Sequence, residues 1–189
     1  MVNEYAIGRI EETLALLTNK DTFPLVEMNN LAFKINQIFD QGGKIAFVGN
    51  GGSAAESMHI AAEFTGKCLI DHIPWPALCL NESQSALTAI ANDYGVDQMF
   101  ARMVRAHMRP GDLLIALSTS GKSKNIINAL NQAHHMGVDS ILWMGDFSKP
   151  EIKTNVWRVP SKSTPQIQEV HLIWGHLVAE MVEHLQTKF

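Results

Sequence analysis

Residues 44–63 of the chain read KIAFVGNGGSAAESMHIAAE, a short apolar strand that breaks into glycines and continues as a helix. The glycines of this turn let backbone N–H groups approach an oxygen-rich ligand closely, because glycine adopts positive φ and has no side chain. His59 and Glu63 follow four positions apart on the helix, so their side chains share one face roughly 6 Å apart. The segment therefore predicts a ligand-binding loop with an imidazole–carboxylate pair beside it.

The composition of the 189-residue chain excludes several classes of protein. A hydrophobic content of 46% suits one domain with a full core, and the net charge of −4 gives no basic surface for nucleic acid. No apolar run approaches the roughly 18 residues that a membrane span needs. Two cysteines and an N-terminus without a signal-like pattern lead us to expect a reduced, cytoplasmic protein that binds neither nucleic acid nor membrane.

The spacing of apolar residues predicts a single domain over residues 1–189, with N-terminal helices over 1–41 and an α/β core over 42–189. Short strands alternate with helices in the core. Such alternation is typical of a parallel sheet covered by helices on both faces, in which ligands bind at the carboxyl ends of the strands. The predicted strands are 44–48, 77–80, 113–117, 140–144 and 155–159; the predicted helices are 3–18, 24–40, 54–65, 84–91, 96–108, 123–136 and 166–187.

A second loop at the same edge of the sheet carries hydroxyl groups. Residues 118–123, Ser-Thr-Ser-Gly-Lys-Ser, follow an apolar strand and open a helix, where unpaired N–H groups and the helix dipole favour an anion. The pattern indicates phosphate binding, with an ordinary serine N-cap at Ser123 as the simpler alternative. Residues 116–123 also come close to the Walker pattern of nucleotide hydrolases, with alanine in place of the first glycine.

The glycine loop also satisfies a dinucleotide-binding fingerprint. Residues 49–54 match G-x-G-x-x-G/A, but the next predicted strand is followed by Asn81 rather than by a ribose-binding acid. Glu82 is the nearest acid and lies later than the fingerprint expects. NAD binding is therefore a further alternative for this loop.

The last predicted helix offers more ligands for an ion held by His59 and Glu63. Gln168 and His176 lie about 12 Å apart along an ideal helix and roughly 80° apart around it, so both reach one ion only if long side chains converge. His171 lies about 140° around the helix from His176 and is interpreted as structural. The alternative to a metal site is a routine hydrogen bond between His59 and Glu63 on a solvated helix face. No function is assigned to His134, His135 and His184, which lie on predicted helix surfaces.

The two loops, together with Ala-Asn92-Asp93-Tyr and Ile-Gln168-Glu-Val-His171 followed by His176, resemble the sugar isomerase, or SIS, domain family over nearly the whole chain. The resemblance implies a flavodoxin-like five-stranded parallel sheet and a homotetramer with active sites between subunits. It also implies a phosphorylated sugar as substrate, with sedoheptulose 7-phosphate converted to D-glycero-D-manno-heptose 7-phosphate.

The resemblance carries over residue by residue to positions of this chain. The residues that resemble the phosphate pocket are Ser118, Thr119, Ser120 and Ser123. Those that resemble the sugar contacts are Asn50, Gly51, Gly52, Asn92, Asp93 and Gln168, to which the loop pattern adds Ser53. One zinc ion per subunit is implied at His59, Glu63, Gln168 and His176. Isomerisation through an enediol needs a base near carbon and an acid near oxygen, roles that Glu63 and His176 can fill.

The chain departs from the family pattern at three places. Lys122 stands where the family commonly has asparagine, Pro165-Gln166 replaces a segment that usually carries arginine, and the loop over 145–150 is shortened. These departures leave an isomerase for a different sugar phosphate as an alternative. A non-catalytic SIS adaptor that binds a replication initiator protein is another, although such an adaptor lacks the carboxylate of Glu63 and the late histidine at His176.

Overall fold

Five parallel strands form the central sheet of the chain in a computed structural model that describes residues 2–186. In chain order the strands are β1 (Ile45–Gly49), β2 (Ala77–Cys79), β3 (Leu113–Leu117), β4 (Asp139–Met144) and β5 (Asn155–Arg158). Their order across the sheet is β2-β1-β3-β4-β5, and each neighbouring pair is parallel. This is the flavodoxin-like order, in which the winding reverses between β1 and β3. The predicted fold class and sheet are therefore confirmed.

Seven α-helices surround the sheet within the described residues. They are α1 (Val2–Thr18), α2 (Leu25–Asp40), α3 (Gly52–Thr65), α4 (Gln84–Tyr94), α5 (Met99–His107), α6 (Lys124–His135) and α7 (Thr164–Gln186). Helices α2, α3 and α7 pack on one face of the sheet, and α4, α5 and α6 on the other. Because both faces are covered, every residue of β1 and β3 is buried, and neither strand shows the alternating pattern of a half-exposed sheet.

The element boundaries differ from the predicted ones by a few residues. The helix α3 begins at Gly52 rather than at 54, so Gly52 and Ser53 belong to its first turn. A short 3₁₀ turn over Lys20–Thr22 separates α1 from α2. Residue 187, the predicted end of the last helix, lies outside the described residues. No helix in residues 2–186 is both long and apolar enough to cross a membrane.

The N-terminal helix α1 makes little contact with the rest of the chain. Leu16 is its only buried residue, and Ile7, Ile10 and Leu14 of its apolar stripe are each more than half exposed. The helix α2 instead buries its apolar face against α7. The apolar stripe that predicted α1 as an amphipathic helix is therefore present, but within one chain it faces solvent.

Candidate active site

The two predicted ligand loops meet at the point where the sheet reverses its winding. The glycine loop leaves β1 and the hydroxyl loop leaves β3, and these strands are neighbours in register from Ile45 and Leu113 onward. The side-chain amides of Asn50 and Asn125 exchange two hydrogen bonds, each 2.9 Å long, and so connect the loops. A crevice at this place is where open α/β sheets bind their ligands.

Asn125 is a residue of the site that the sequence analysis missed. It is 7% exposed and lies in the first turn of α6, directly after the hydroxyl loop. The sequence did contain an indication of its role, because Asn125 occupies a core-facing helix position where an apolar residue would be expected.

The glycine loop has a backbone that only glycine adopts readily at one position and a close approach by a side-chain amide at another. Gly51, the N-cap of α3, has φ of +56°. A Cβ added to Gly52 would lie 2.2 Å from Nε2 of Gln168. The predicted sugar contact Gln168 therefore lies directly against the loop, and a larger residue at position 52 would displace its amide.

Asn81 secures the start of the glycine loop. Its side chain accepts the N–H of Gly49 at 3.2 Å and donates to the carbonyl oxygen of Gly49 at 2.9 Å. An asparagine at the end of β2 thus occupies the place where the dinucleotide fingerprint expects a ribose-binding acid. Its amide is used to hold the backbone of the loop.

The hydroxyl loop keeps its polar groups available at the start of α6. Ser123 is the N-cap of α6, yet its side chain makes no capping hydrogen bond and instead accepts one from Ser118 Oγ at 3.4 Å. Ser120 Oγ accepts the N–H of Lys122 at 3.2 Å, and Gly121 turns the chain with φ of +67°. The simpler alternative, a serine side chain used only to cap the helix, does not describe this loop.

Three potential metal ligands converge between α3 and α7. His59 Nε2 lies 2.8 Å from His176 Nε2 and 3.2 Å from Glu63 Oε1, and one ligand atom from each residue lies within 4.8 Å of the others. Two donors on a tetrahedral ion with bonds of about 2.0–2.1 Å lie about 3.3 Å apart. The separation of His59 from Glu63 matches this value, and the two imidazole nitrogens would have to move apart by about 0.5 Å. The set of two imidazoles and a carboxylate is one that catalytic zinc sites use. These residues therefore fit a divalent metal ion.

Gly175 allows the two helices to approach closely enough to form this cluster. A Cβ added to Gly175 would lie 2.4 Å from a side-chain carbon of Ile60, and His176 and His59 are the adjacent residues. The sequence analysis missed this role. A glycine in the interior of an apolar helix costs about 1 kcal/mol relative to alanine. Its presence at position 175 could therefore have indicated that another segment packs closely there.

The remaining predicted site residues, Asn92, Asp93 and Ser53, make no hydrogen bond to the hydroxyl loop or to the metal-type ligands within residues 2–186. Asn92 and Asp93 are exposed at the end of α4, where Asn92 Nδ2 donates to Asp93 Oδ1 at 2.8 Å, and no hydrogen bond within residues 2–186 joins them to either loop. Ser53 is buried in the first turn of α3, and its carbonyl oxygen accepts the hydroxyl of Ser57. The structure thus brings the two loops and Gln168 to one edge of the sheet. The three metal-type ligands lie further along the helices, with His59 roughly 10 Å and Glu63 roughly 16 Å along α3 from Gly52. Within the described part of the chain, the Asn92–Asp93 pair is joined to neither place.

Two buried ionisable groups lie near the site. Burial lowers the pKa of His171 to about 3, so the ring is neutral between Trp174 of α7 and Trp143 of β4, in agreement with its interpretation as structural. Burial raises the pKa of Glu56 to about 7, one turn after the glycine loop. Glu56 was not singled out from the sequence, where it is one acid on a helix with no distinguishing spacing.

Comparison with known proteins agrees with this geometry. A family model for the SIS domain matches residues 11–142. The phosphoheptose isomerase of Rhodospirillum rubrum is 48% identical over 144 residues, which are 75% of this chain and 77% of that protein. The phosphoheptose isomerase of Aneurinibacillus thermoaerophilus is 37% identical over 188 residues, which are 96% of this chain and 94% of that protein.

A solved structure extends the likeness to the whole fold. Phosphoheptose isomerase from Neisseria gonorrhoeae superposes with a TM-score of 0.87 at 34% identity, and the match covers 97% of this chain and 100% of that one. The chain therefore belongs to the SIS domain family, and within it the chain groups with the phosphoheptose isomerases. The two nucleotide-binding interpretations of the loops are accordingly set aside.

Proposed function

We propose that the protein is an aldose–ketose isomerase that converts sedoheptulose 7-phosphate to D-glycero-D-manno-heptose 7-phosphate through an enediol. The observation that carries this proposal is the meeting of a phosphate-type loop and a glycine loop at one edge of the sheet, with an imidazole–carboxylate cluster further along the helix α3 that the glycine loop begins. The names of the relatives agree with it. The adaptor alternative loses support because Glu63 and His176 are both present and meet at His59.

The reaction moves one proton between adjacent carbons, so the protein must supply a phosphate-binding site, a base and an acid. The loop 118–123 anchors the phosphate with hydroxyls and helix N–H groups, which fixes the rest of the sugar in reach of the cluster. Glu63 is the proposed base that takes the proton from carbon, because it is the carboxylate of the cluster and lies against His59. His176 is the proposed acid that protonates the substrate oxygen.

The metal ion is proposed to be zinc, one per subunit, held by His59, Glu63 and His176. Gln168 is proposed as a weak fourth ligand, although its amide lies against Gly52 at the beginning of α3. When bound, the ion supplies Lewis-acid polarisation of the substrate carbonyl. Because glutamine is an uncommon ligand, a labile catalytic site is expected rather than a structural one.

The proposed assembly is a homotetramer with active sites between subunits, in the cytoplasm. The exposed apolar stripe of α1 supports it, because Ile7, Ile10 and Leu14 are left in solvent by the single chain. Met58, beside His59, is 43% exposed on α3, so an apolar surface also borders the metal-type ligands. A neighbouring subunit is the proposed source of the contact between the Asn92–Asp93 pair and the sugar.

An isomerase for a different sugar phosphate is the second candidate. Lys122 lines a cleft of about 380 Å³ together with Arg158 and Lys162, and this cleft adjoins the hydroxyl loop. Asp146 is the acidic residue of that lining. Such a cationic neighbourhood favours a substrate that carries more negative charge than one phosphate monoester.

The test is turnover by the purified protein. Sedoheptulose 7-phosphate and a panel of other sugar phosphates are incubated with the protein, with and without a chelator, and products are separated by mass spectrometry and chromatography. We expect isomerisation of sedoheptulose 7-phosphate that the chelator abolishes and added zinc restores. Metal-replete protein that binds sugar phosphates but turns none of them over would favour the adaptor, and faster turnover of another sugar would favour the second candidate.

A further inference from the structure

A buried carboxylate near the end of α7 holds the loop that follows α3. Glu183 is 1% exposed, and its oxygens accept N–H groups from three successive residues. Oε1 accepts from Cys68 at 2.8 Å and from Leu69 at 3.3 Å, and Oε2 accepts from Leu69 and Ile70 at 3.0 Å each. Hydrogen bonds to an ionised acceptor are roughly twice as strong as neutral ones. This cluster is therefore a strong and directional anchor.

The same loop is also fixed at its other end. The ring of His72 stacks on Trp75 with centroids 3.6 Å apart, and its Nε2 lies 3.4 Å from Glu183 Oε1. The backbone N–H of Trp75 donates to the carbonyl oxygen of Phe64, in the last turn of α3. The loop over 66–76 is thus attached to both α3 and α7, and it joins the ends of these helices.

The helices α3 and α7 run side by side in the same direction, with three points of alignment. Gln168 lies against Gly52 at their beginning, the two imidazoles of the metal-type cluster meet in the middle, and Glu183 holds the following loop at the end. Glu183 comes seven residues after His176, which is about 20° short of two turns. Both side chains therefore lie on the same face of α7, about 10.5 Å apart.

The alignment matters because the three donor atoms are divided between the helices. His59 and Glu63 come from α3, and His176 comes from α7. The contact that brings the helices together, Gly175 against Ile60, is apolar, and apolar packing is not directional. A metal site tolerates ligand distances within about 0.2 Å of their usual values, so a small shift of one helix along the other spoils it.

We propose that Glu183 is a positioning residue that sets the register of α7 against α3 and thereby the geometry of the three metal-type donors. The inference rests on the proposed metal-binding function of His59, Glu63 and His176. Loss of a supporting hydrogen bond behind metal ligands typically lowers metal affinity about 10- to 100-fold. Loss of the Glu183 anchor acts through helix register and is expected to have an effect in this range.

The experiment compares Glu183→Gln with Glu27→Gln, the same change at an exposed position of α2. The amide of Glu183→Gln keeps the size of the side chain but presents a donor to backbone N–H groups. Zinc affinity of chelator-treated protein is measured by competition with a chromogenic chelator. Hydrogen exchange over residues 59–66 is measured on the same metal-free samples. Glu183→Asp, which retains the charge on a shorter side chain, serves if Glu183→Gln does not fold.

We expect zinc affinity to fall about 10- to 100-fold in Glu183→Gln and less in Glu183→Asp, with faster exchange over 59–66 and wild-type behaviour in Glu27→Gln. Unchanged zinc affinity, with or without faster exchange, would reduce Glu183 to a merely structural residue and overturn the inference. A wild-type protein that binds no zinc would overturn both the metal part of the proposed function and this inference. The wild-type affinity and the variant-to-wild-type ratio therefore report the two proposals separately.

Discussion

Replacement of the buried histidine behind the site should remove a specific pH dependence of stability. His171 is fully buried, with its ring 5.5 Å from that of Trp174 and 6.0 Å from that of Trp143. Burial lowers its pKa from 6.5 to about 3 in the folded protein. Between these two pH values the unfolded chain binds one more proton than the folded chain, so the free energy of unfolding rises with pH and is lost as the pH falls below 6.5.

The size of this loss follows from the two pKa values. Each pH unit below 6.5 costs about 1.4 kcal/mol, so about 2 kcal/mol is lost at pH 5. That is a large part of the roughly 5–15 kcal/mol that stabilises a typical domain. The value at pH 5 depends little on the folded-state pKa, because the buried ring is neutral there for any folded pKa near 3.

The assay is urea unfolding of wild type and His171→Leu at pH 7.5, 6 and 5, at one protein concentration. Leucine has a similar volume and no proton to bind, while the other groups titrate alike in both proteins and cancel in the difference. The stability of His171→Leu relative to wild type should improve by about 2 kcal/mol between pH 7.5 and pH 5. The matched control, His134→Leu at an exposed position, should show no such change. A wild-type-minus-variant difference that stays constant across this range would refute the argument.

Three further changes test the site. Ser120→Ala should raise KM for the sugar phosphate more than it lowers kcat, because the phosphate is held about equally in ground and transition states; a mainly kcat effect in steady-state kinetics would count against phosphate anchoring. Glu63→Gln should lower turnover by roughly 10²- to 10⁴-fold once zinc content has been restored and measured, and should stop exchange of solvent deuterium into the substrate carbon. Near-normal exchange would make His176 the leading base. Gly175→Ala should destabilise the protein by about 1–3 kcal/mol in urea unfolding and weaken zinc binding. Ile60→Ala in the same chain should restore zinc binding by removing the clash, although not stability, because truncation of a buried isoleucine itself costs about 2–5 kcal/mol.

The sheet and helices could be predicted because local and long-range signals coincide in this chain. Buried parallel strands such as β1 and β3 are continuous apolar runs, and each is followed by a glycine- or serine-rich turn that begins a helix. Since parallel strands carry their carboxyl ends to one edge, the meeting of the two loops also followed from the sequence. The covered parallel sheet followed from residue pattern and chain order, whereas its flavodoxin-like architecture was implied by the resemblance to the SIS family.

The parts of the site that could not be predicted depend on contacts between distant segments. The pairing of Asn50 with Asn125 and the approach of Gly175 to Ile60 join positions 75 and 115 residues apart, and no periodicity reports such distances. The same reason applies to Glu183, whose three N–H partners lie more than 110 residues earlier in the chain. For Gln168, helix geometry gave the spacing to His176, but only the folded chain shows the amide against Gly52.

The amide pair between Asn50 and Asn125 also has a consequence for how a ligand is sensed. Two reciprocal hydrogen bonds couple the glycine loop to the start of α6, so we expect the two segments to become ordered together. Inorganic phosphate, which has no sugar, should therefore protect the backbone of residues 49–53 from proteolysis and hydrogen exchange when it occupies the loop over 118–123. The phosphate group alone should thus be enough to order the glycine loop that is proposed to contact the sugar.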